Sequence, residues 1–267
     1  GHSLEALFEP MISIIDCRKA FNIIASDSLL IFQFSNRLVP CAAQIKVQQD
    51  GENIELAVLN AFETILENYP PDNSKVALIM NNSISPYADQ VAQYLCKEGM
   101  CRKFFIVPDE ELFLSQYPFL VETPAEKFPI YASEISDSLY LGGIGCLNEK
   151  GLSHQGITAV VSVVQHPVET PHGVTHHMRI SIEDDCEENI AQYFPDSIAF
   201  IEAAHSRNQK VLVHCHQGIS RSVSVLIAYL VHSGLCMSVS EALEFIRVQR
   251  SHVRPNEAFM HQLIVWE

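Results

Sequence analysis

The sequence predicts a two-domain α/β protein. Three observations predict it. Short apolar strands alternate with helical periodicities through most of the chain. A charged, proline-bearing segment without periodicity, Glu122-Thr-Pro-Ala-Glu-Lys-Phe-Pro129, interrupts that alternation near the middle. Hydrophobic residues make up 48% of the 267, enough to pack a core in each half and too many for wholesale disorder. The interruption sets the domains at 4–121 and 131–267, with a linker over 122–130.

In the first domain, 13–16 and 29–34 read as strands, and Cys17, directly after the first, is expected to continue it and pack. A helix over 54–68 carries Leu56, Leu59, Phe62, Ile65 and Leu66 on one face. Residues 76–80 form a buried strand. Ser85-Pro86 supplies an N-cap and a first-turn proline for a helix that runs to Lys97 and stops at Gly99. A strand over 104–107 and a short helix over 110–117 complete the domain. Strand-helix alternation of this kind calls for a parallel sheet in this half.

In the second domain, 138–141, 158–164, 176–182 and 210–214 read as strands, giving a central sheet flanked by helices. Phe194, Ile198, Ile201 and His205 recur at helical spacing between the last two strands. Residues 221–234 are apolar nearly all round, which marks a buried central helix. Ser238-Val-Ser-Glu241 is a capping box, opening a helix that buries Val239, Leu243 and Ile246. A last helix after Pro255 buries Phe259, Met260, Leu263 and Ile264.

The formal charge is −15, from 17 basic and 32 acidic residues, and both halves share it. Such a field repels nucleic acid and anionic lipid, so neither is an expected partner. No apolar run is long enough to span a bilayer. The eight cysteines (Cys17, Cys41, Cys96, Cys101, Cys146, Cys186, Cys215 and Cys236) include no Cys-x-x-Cys pair and no zinc spacing. No secretory leader is visible. Reduced thiols in the cytoplasm or nucleus are therefore expected, most of them small buried hydrophobes.

One stretch carries chemistry: Val211-Leu-Val-His-Cys-His-Gln-Gly-Ile-Ser-Arg-Ser222. A buried strand runs through a short loop straight into a buried helix. That arrangement gathers backbone N–H groups at a helix N-terminus, where a phosphate dianion is bound well. The loop residues His216, Gln217, Gly218, Ile219 and Ser220 would supply the amides, and Gly218 allows close backbone approach. The same groups and Arg221 favour a Cys215 thiolate, the stronger nucleophile. Arg221 can fork two N–H groups onto phosphate oxygens. Ser222 can donate to the sulfur, and His214 can support the loop from behind.

The pattern His-Cys-x-x-Gly-x-x-Arg-Ser resembles the signature of the protein tyrosine phosphatase superfamily, and within it the dual-specificity phosphatases related to MAP kinase phosphatases. The resemblance continues in Ile135-Ser-Asp-Ser-Leu-Tyr-Leu-Gly142, Gly156-Ile-Thr-Ala-Val-Val-Ser-Val163, Tyr193-Phe-Pro-Asp-Ser-Ile-Ala-Phe-Ile201 and Arg254-Pro-Asn-Glu-Ala-Phe-Met-His-Gln-Leu263. It covers roughly 130–267. It implies hydrolysis of phosphotyrosine and phosphoserine or phosphothreonine through a phosphocysteine, without metal or organic cofactor. It also implies a general acid in the loop Glu183-Asp-Asp-Cys-Glu-Glu188. Five residues before Asn189-Ile190, the family's pattern points to Asp184 in preference to Asp185. Acidic neighbours would raise its pKa, which suits an acid.

The first half resembles the rhodanese-like domain of the kinase phosphatases, on Ile14-Ile-Asp-Cys-Arg18 and Phe113-Leu-Ser-Gln-Tyr-Pro-Phe-Leu120. The loop Asn81-Asn-Ser-Ile-Ser85 holds no thiol, so sulfur transfer is not expected and the domain is read as non-catalytic. The arginine cluster that docks kinases in that family is reduced here to Arg18-Lys19, Arg37 and Lys46. A phosphoprotein substrate is expected, a protein kinase among the candidates. Oligomeric state is not legible. The two-domain layout is also similar to the serine/threonine/tyrosine-interacting-like pseudophosphatases, which lack the cysteine kept here as Cys215. That kinship motivates a second reading, a phosphoprotein-binding scaffold with little turnover.

Overall fold

The computed structural model describes residues 9–26, 30–35, 37–39, 42–46, 53–68, 76–81, 87–124 and 127–267. The chain divides into two compact units, Gly1–Phe128 and Pro129–Glu267. Glu122 closes a short helix and Thr123 is buried, so the start of the predicted linker is structured. No helix among the described residues is long and apolar enough to cross a membrane.

Among the described residues the first unit holds five parallel strands: β1 (Met11–Ile14), β2 (Leu30–Gln33), β3 (Ala42–Gln44), β4 (Val76–Met80) and β5 (Lys103–Val107). They lie in the order β1-β5-β4-β2-β3. Strand β4 sits in the middle and is buried from Ala77 to Met80, as its unbroken apolar run requires. The helices among the described residues are α1 (Cys17–Ser26), α2 (Ile54–Asn68), α3 (Ala88–Lys97), α4 (Glu110–Gln116) and α5 (Phe119–Glu122).

Two expectations are corrected here. Cys17 is not in a strand; Asp16 Oδ1 accepts the N–H of Lys19 (2.7 Å) and caps a helix that Cys17 opens. The buried stripe of α2 is Val58, Ala61 and Ile65, packed with Ala43 and Ile45. Leu56, three positions before Leu59, lies on the outer side and is 56% exposed. Helix α5 was not anticipated. The proposed cap Ser85-Pro86 and the loop beyond Asn81 lie outside the described residues. Gly99, with φ +70, ends α3 as expected.

The second unit has strands β6 (Ser133–Ser136), β7 (Leu139–Gly142), β8 (Ile157–Val163), β9 (His176–Ile180) and β10 (Lys210–His214). Their order is β6-β7-β10-β8-β9. The sheet is mixed, not wholly parallel. Strand β6 pairs antiparallel with β7, and the other neighbours are parallel. The sequence reading missed β6 because Ser133–Ser136 is short and has a single apolar residue, Ile135. Helices α6 (Glu149–Gln155), α7 (Phe194–Ser206), α8 (Arg221–His232), α9 (Val239–Gln249) and α10 (Glu257–Trp266) cover it. Helix α6 has too few apolar residues to read, yet Asn148 caps its start and Gly156, at φ +68, its end.

Helix α8 is buried continuously from Ser222 to Leu230 and anchors one core with β7, β8, β10 and the flanking helices. The Ser238 hydroxyl caps α9 by accepting from Glu241 N (3.1 Å). In α10 only Phe259 and Leu263 are buried; Ile264 is 60% exposed, because a single i,i+4 pair faces the core.

Candidate active site

Strand β10 is central, and its carboxyl end opens into the six-residue connection 215–220 that leads to α8. Crevices at the carboxyl ends of parallel strands are the usual ligand sites of such sheets. Gly218 has φ +70, and a Cβ there would meet the Gly142 carbonyl carbon at 2.5 Å. Conformation and space both demand glycine.

The six carbonyls of this connection all have donors. Cys215 O accepts from His214 Nδ1 (3.0 Å) and His216 O from Ile144 N (2.9 Å). Arg250 donates Nη2 to Gln217 O and Nε to Gly218 O, each at 3.0 Å. Ile219 O accepts from Arg254 N (2.8 Å), and Ser220 O from Ser224 N and Oγ (2.9 Å each). With its carbonyls tied back, the loop turns its amides inward, making a nest for an anion.

Cys215 occupies that nest and is 2% exposed. Its Sγ accepts from Gly218 N (3.2 Å) and from Ser222 Oγ (3.1 Å). Burial alone would push the thiol up. Hydrogen bonds from the Ser222 hydroxyl and from the N–H groups of Ser222, Ile219 and Gly218 outweigh burial and hold it below its ordinary value. The sequence reading also credited Arg221, which is not among these causes; the amides and one hydroxyl are sufficient.

Arg221 donates Nη1 to Ile182 O (3.1 Å), which fixes the guanidinium from the segment that follows β9. Its Nε is buried and has no protein partner among the described residues, a donor available to an anion. Asp184 lines the same pocket. Its Oδ1 accepts from Ser220 Oγ (2.7 Å) and Asn256 Nδ2 (2.9 Å). Asp185 does not line it, and instead accepts the N–H of Glu187 (2.8 Å). The pocket, about 390 Å³, is also bounded by His216, Gln217, Ile219 and Arg254. The side chains of His216 and Gln217 are exposed at its mouth.

His214 is fully buried, with Nε2 2.6 Å from Ser162 Oγ. Burial holds its pKa below the ordinary histidine value.

Sequence reasoning missed Arg250, Arg254, Asn256 and Ser162. Only Asn256 gave a signal, as a helix N-cap: its Oδ1 accepts from Phe259 N (2.9 Å) while its own N–H donates to Ser220 Oγ (3.0 Å).

The profile of the dual specificity phosphatase catalytic domain matches residues 139–267. The mouse dual specificity protein phosphatase 2 is 36% identical over 237 residues, 81% of this chain and 71% of that protein. Human dual specificity protein phosphatase 9 is 36% identical over 143 residues, 52% of this chain and 36% of that protein. The chain thus spans most of the mouse relative and about a third of the human one. The crystal structure of human tyrosine phosphatase-like serine/threonine/tyrosine-interacting protein aligns at a TM-score of 0.46 with 29% identity, covering 50% of this chain and 93% of that one. With more than two thirds of a 36% identical relative aligned to it, this chain belongs to the dual specificity phosphatase family, and its second unit is a cysteine-dependent protein phosphatase domain.

Proposed function

We propose that the chain hydrolyses phosphotyrosine and phosphoserine or phosphothreonine in protein substrates, with Cys215 as nucleophile and Asp184 as acid and base. The observation that carries this reading is the Cys215 sulfur, held by Gly218 N and Ser222 Oγ at the floor of a pocket that Asp184 and Arg221 also line.

In the first step the thiolate attacks phosphorus, the ester P–O bond breaks, and the departing oxygen takes a proton from Asp184. Both hydrogen bonds to Asp184 fall on Oδ1, which leaves Oδ2 to carry that proton. The amides of residues 216–220 and the Arg221 guanidinium stabilise the phosphoryl oxygens. In the second step Asp184 takes a proton from water, whose oxygen attacks phosphorus. The S–P bond breaks and the thiolate returns, its charge received by the Ser222 hydroxyl. No step calls for a metal or an organic cofactor.

The first unit is, in this reading, a rhodanese-like domain without catalytic role. Its all-parallel sheet supports that assignment. A phosphoprotein in the cytoplasm or nucleus, with a protein kinase among the candidates, is the substrate proposed. The charge of −15 favours such a partner over nucleic acid or an anionic membrane.

The test is turnover of phosphotyrosine and phosphothreonine peptides by the unmutated chain and by Cys215→Ser. Hydrolysis of both peptides, lost in the variant with binding retained, is expected. Binding without hydrolysis by the unmutated chain would replace this reading with a scaffold role.

A further inference from the structure

A chain of side chains runs from the surface loop after β8 to the catalytic connection. Its polarity follows from its two ends. The Cys215 carbonyl can only accept, so His214 carries its proton on Nδ1. Neutral His214 then accepts on Nε2 from the Ser162 hydroxyl (2.6 Å). Ser162 Oγ, its proton committed, accepts from Nε2–H of His177 (2.7 Å). That leaves His177 Nδ1 to accept from the Thr170 hydroxyl (2.8 Å). Thr170 Oγ1 in turn accepts from Arg179 Nη2 (2.5 Å), and a guanidinium can only donate. Every donor in the series meets an acceptor. Burial, with Arg179 and His214 nearby, holds His177 to about 4, so it is neutral as the series requires.

The surface end has the features of a phosphate cradle. Thr170 is exposed, and an arginine and a histidine converge on its hydroxyl. Arg179 is itself anchored, with Nε on Val168 O (2.9 Å). Pro171 follows Thr170, which biases the acceptor backbone to an extended form, and a threonine before proline is what proline-directed protein kinases accept.

We propose that Thr170 is a phosphorylation site whose phosphate is held by Arg179 and His177. The γ-phosphoryl group of ATP moves to Thr170 Oγ1: an O–P bond forms, the bond to the β-phosphate oxygen breaks, ADP leaves, and the kinase takes the hydroxyl proton. A phosphate dianion only accepts. His177 Nδ1, which accepted from the hydroxyl, must therefore gain a proton to face it. The imidazolium donates Nδ1–H to the phosphate and keeps Nε2–H on Ser162. The rest of the series retains its direction, and the Cys215 carbonyl stays tied. The modification thus places a phosphate–arginine–imidazolium cluster at the surface end of the support for the catalytic loop. It depends on the geometry of this loop and not on the catalytic assignment.

The full chain carrying Cys215→Ser, which cannot remove the phosphate through its thiol, is treated with ATP and a proline-directed kinase. Mass spectrometry then maps the phosphate, and nitrogen NMR of labelled histidine reads His177. Phosphate at Thr170, absent in Thr170→Val, is expected, with His177 changing from neutral to protonated at neutral pH. An unmodified Thr170 in the folded chain, when a peptide of residues 163–175 is modified, would overturn the site. A phosphorylated Thr170 beside a His177 that remains neutral would overturn the cradle.

Discussion

At the carboxyl end of β10 the second unit ties six carbonyls to donors and surrounds a thiol with amides. The end of β2 in the first unit is filled in another way. There Gln33, at the end of β2, donates Nε2 to Glu110 Oε1 (2.6 Å), and Ser35 N donates to Glu110 Oε2 (3.2 Å). Val39 N is satisfied by Gln33 Oε1 (2.7 Å). Both side chains are fully buried. Burial pushes the Glu110 carboxyl up, against the hydrogen bonds from Gln33 and Ser35. The comparison teaches that a parallel sheet's edge becomes an anion site only where backbone donors are left over. In the second unit they are released because Arg250, His214, Ile144, Arg254 and Ser224 occupy the carbonyls. At the end of β2 a glutamine and a carboxyl consume them, and a carboxyl repels phosphate.

The sharpest break of this comparison is Cys215→Ser. It should lower turnover on the order of 10⁴-fold or more, measured with an aryl phosphate. Asp184→Ala should cost about 10²–10⁴-fold on substrates with poor leaving groups. It should cost much less where the departing oxygen needs no proton, and equal losses would count against an acid. Arg250→Met comes next. It frees the Gln217 and Gly218 carbonyls and leaves the Ser133 hydroxyl without its Arg250 donor. Loss of preorganised donors should lower kcat/KM roughly 10²-fold, and the melting midpoint should fall, by roughly 2–5 kcal/mol of stability. Unchanged kcat/KM in a folded variant would show that the loop holds its amides inward unaided.

The smallest effect belongs to the first unit. The folded Glu110 carboxyl is raised, so its contribution favours the fold below its unfolded value near 4.5 and is lost as pH rises through the folded value. Hydrogen exchange of β2 and β4 amides should therefore quicken as pH rises across that window, after correction for intrinsic rates. In Glu110→Gln the extra dependence should vanish. If the slope survives the substitution, another group is responsible.

Much of the site was legible because its chemistry is local. The strand, connection and helix from Lys210 to His232 are contiguous, and the Cys215, Gly218, Arg221 and Ser222 spacing can be read off one stretch. Asp184 was reachable through a resemblance at short range. Arg250 was not, because one arginine at the end of an amphipathic helix reads as an ordinary surface charge. Only the turn between α9 and α10 brings it under residues 217 and 218. Ser162 and His177 lie on adjacent parallel strands, and their meeting with His214 depends on a register that no local pattern encodes. In the first unit, α1 was hidden because Asp16 served equally well as a strand end and as a cap. On the face expected of α2, Ile65 is buried and Phe62 packs against the core, but Leu56 is exposed and the smaller Val58 and Ala61 take the inner positions.

The most direct test of the central claim is the pH dependence of Cys215 alkylation, with Cys215→Ser as the blank and Ser222→Ala as the perturbed case. Inward amides and the Ser222 hydroxyl predict a midpoint below the ordinary thiol value of 9.0, moving upward in Ser222→Ala. A midpoint at or above 9.0 in the unmutated chain would mean that burial wins over the loop's donors, and the thiolate account would be contradicted.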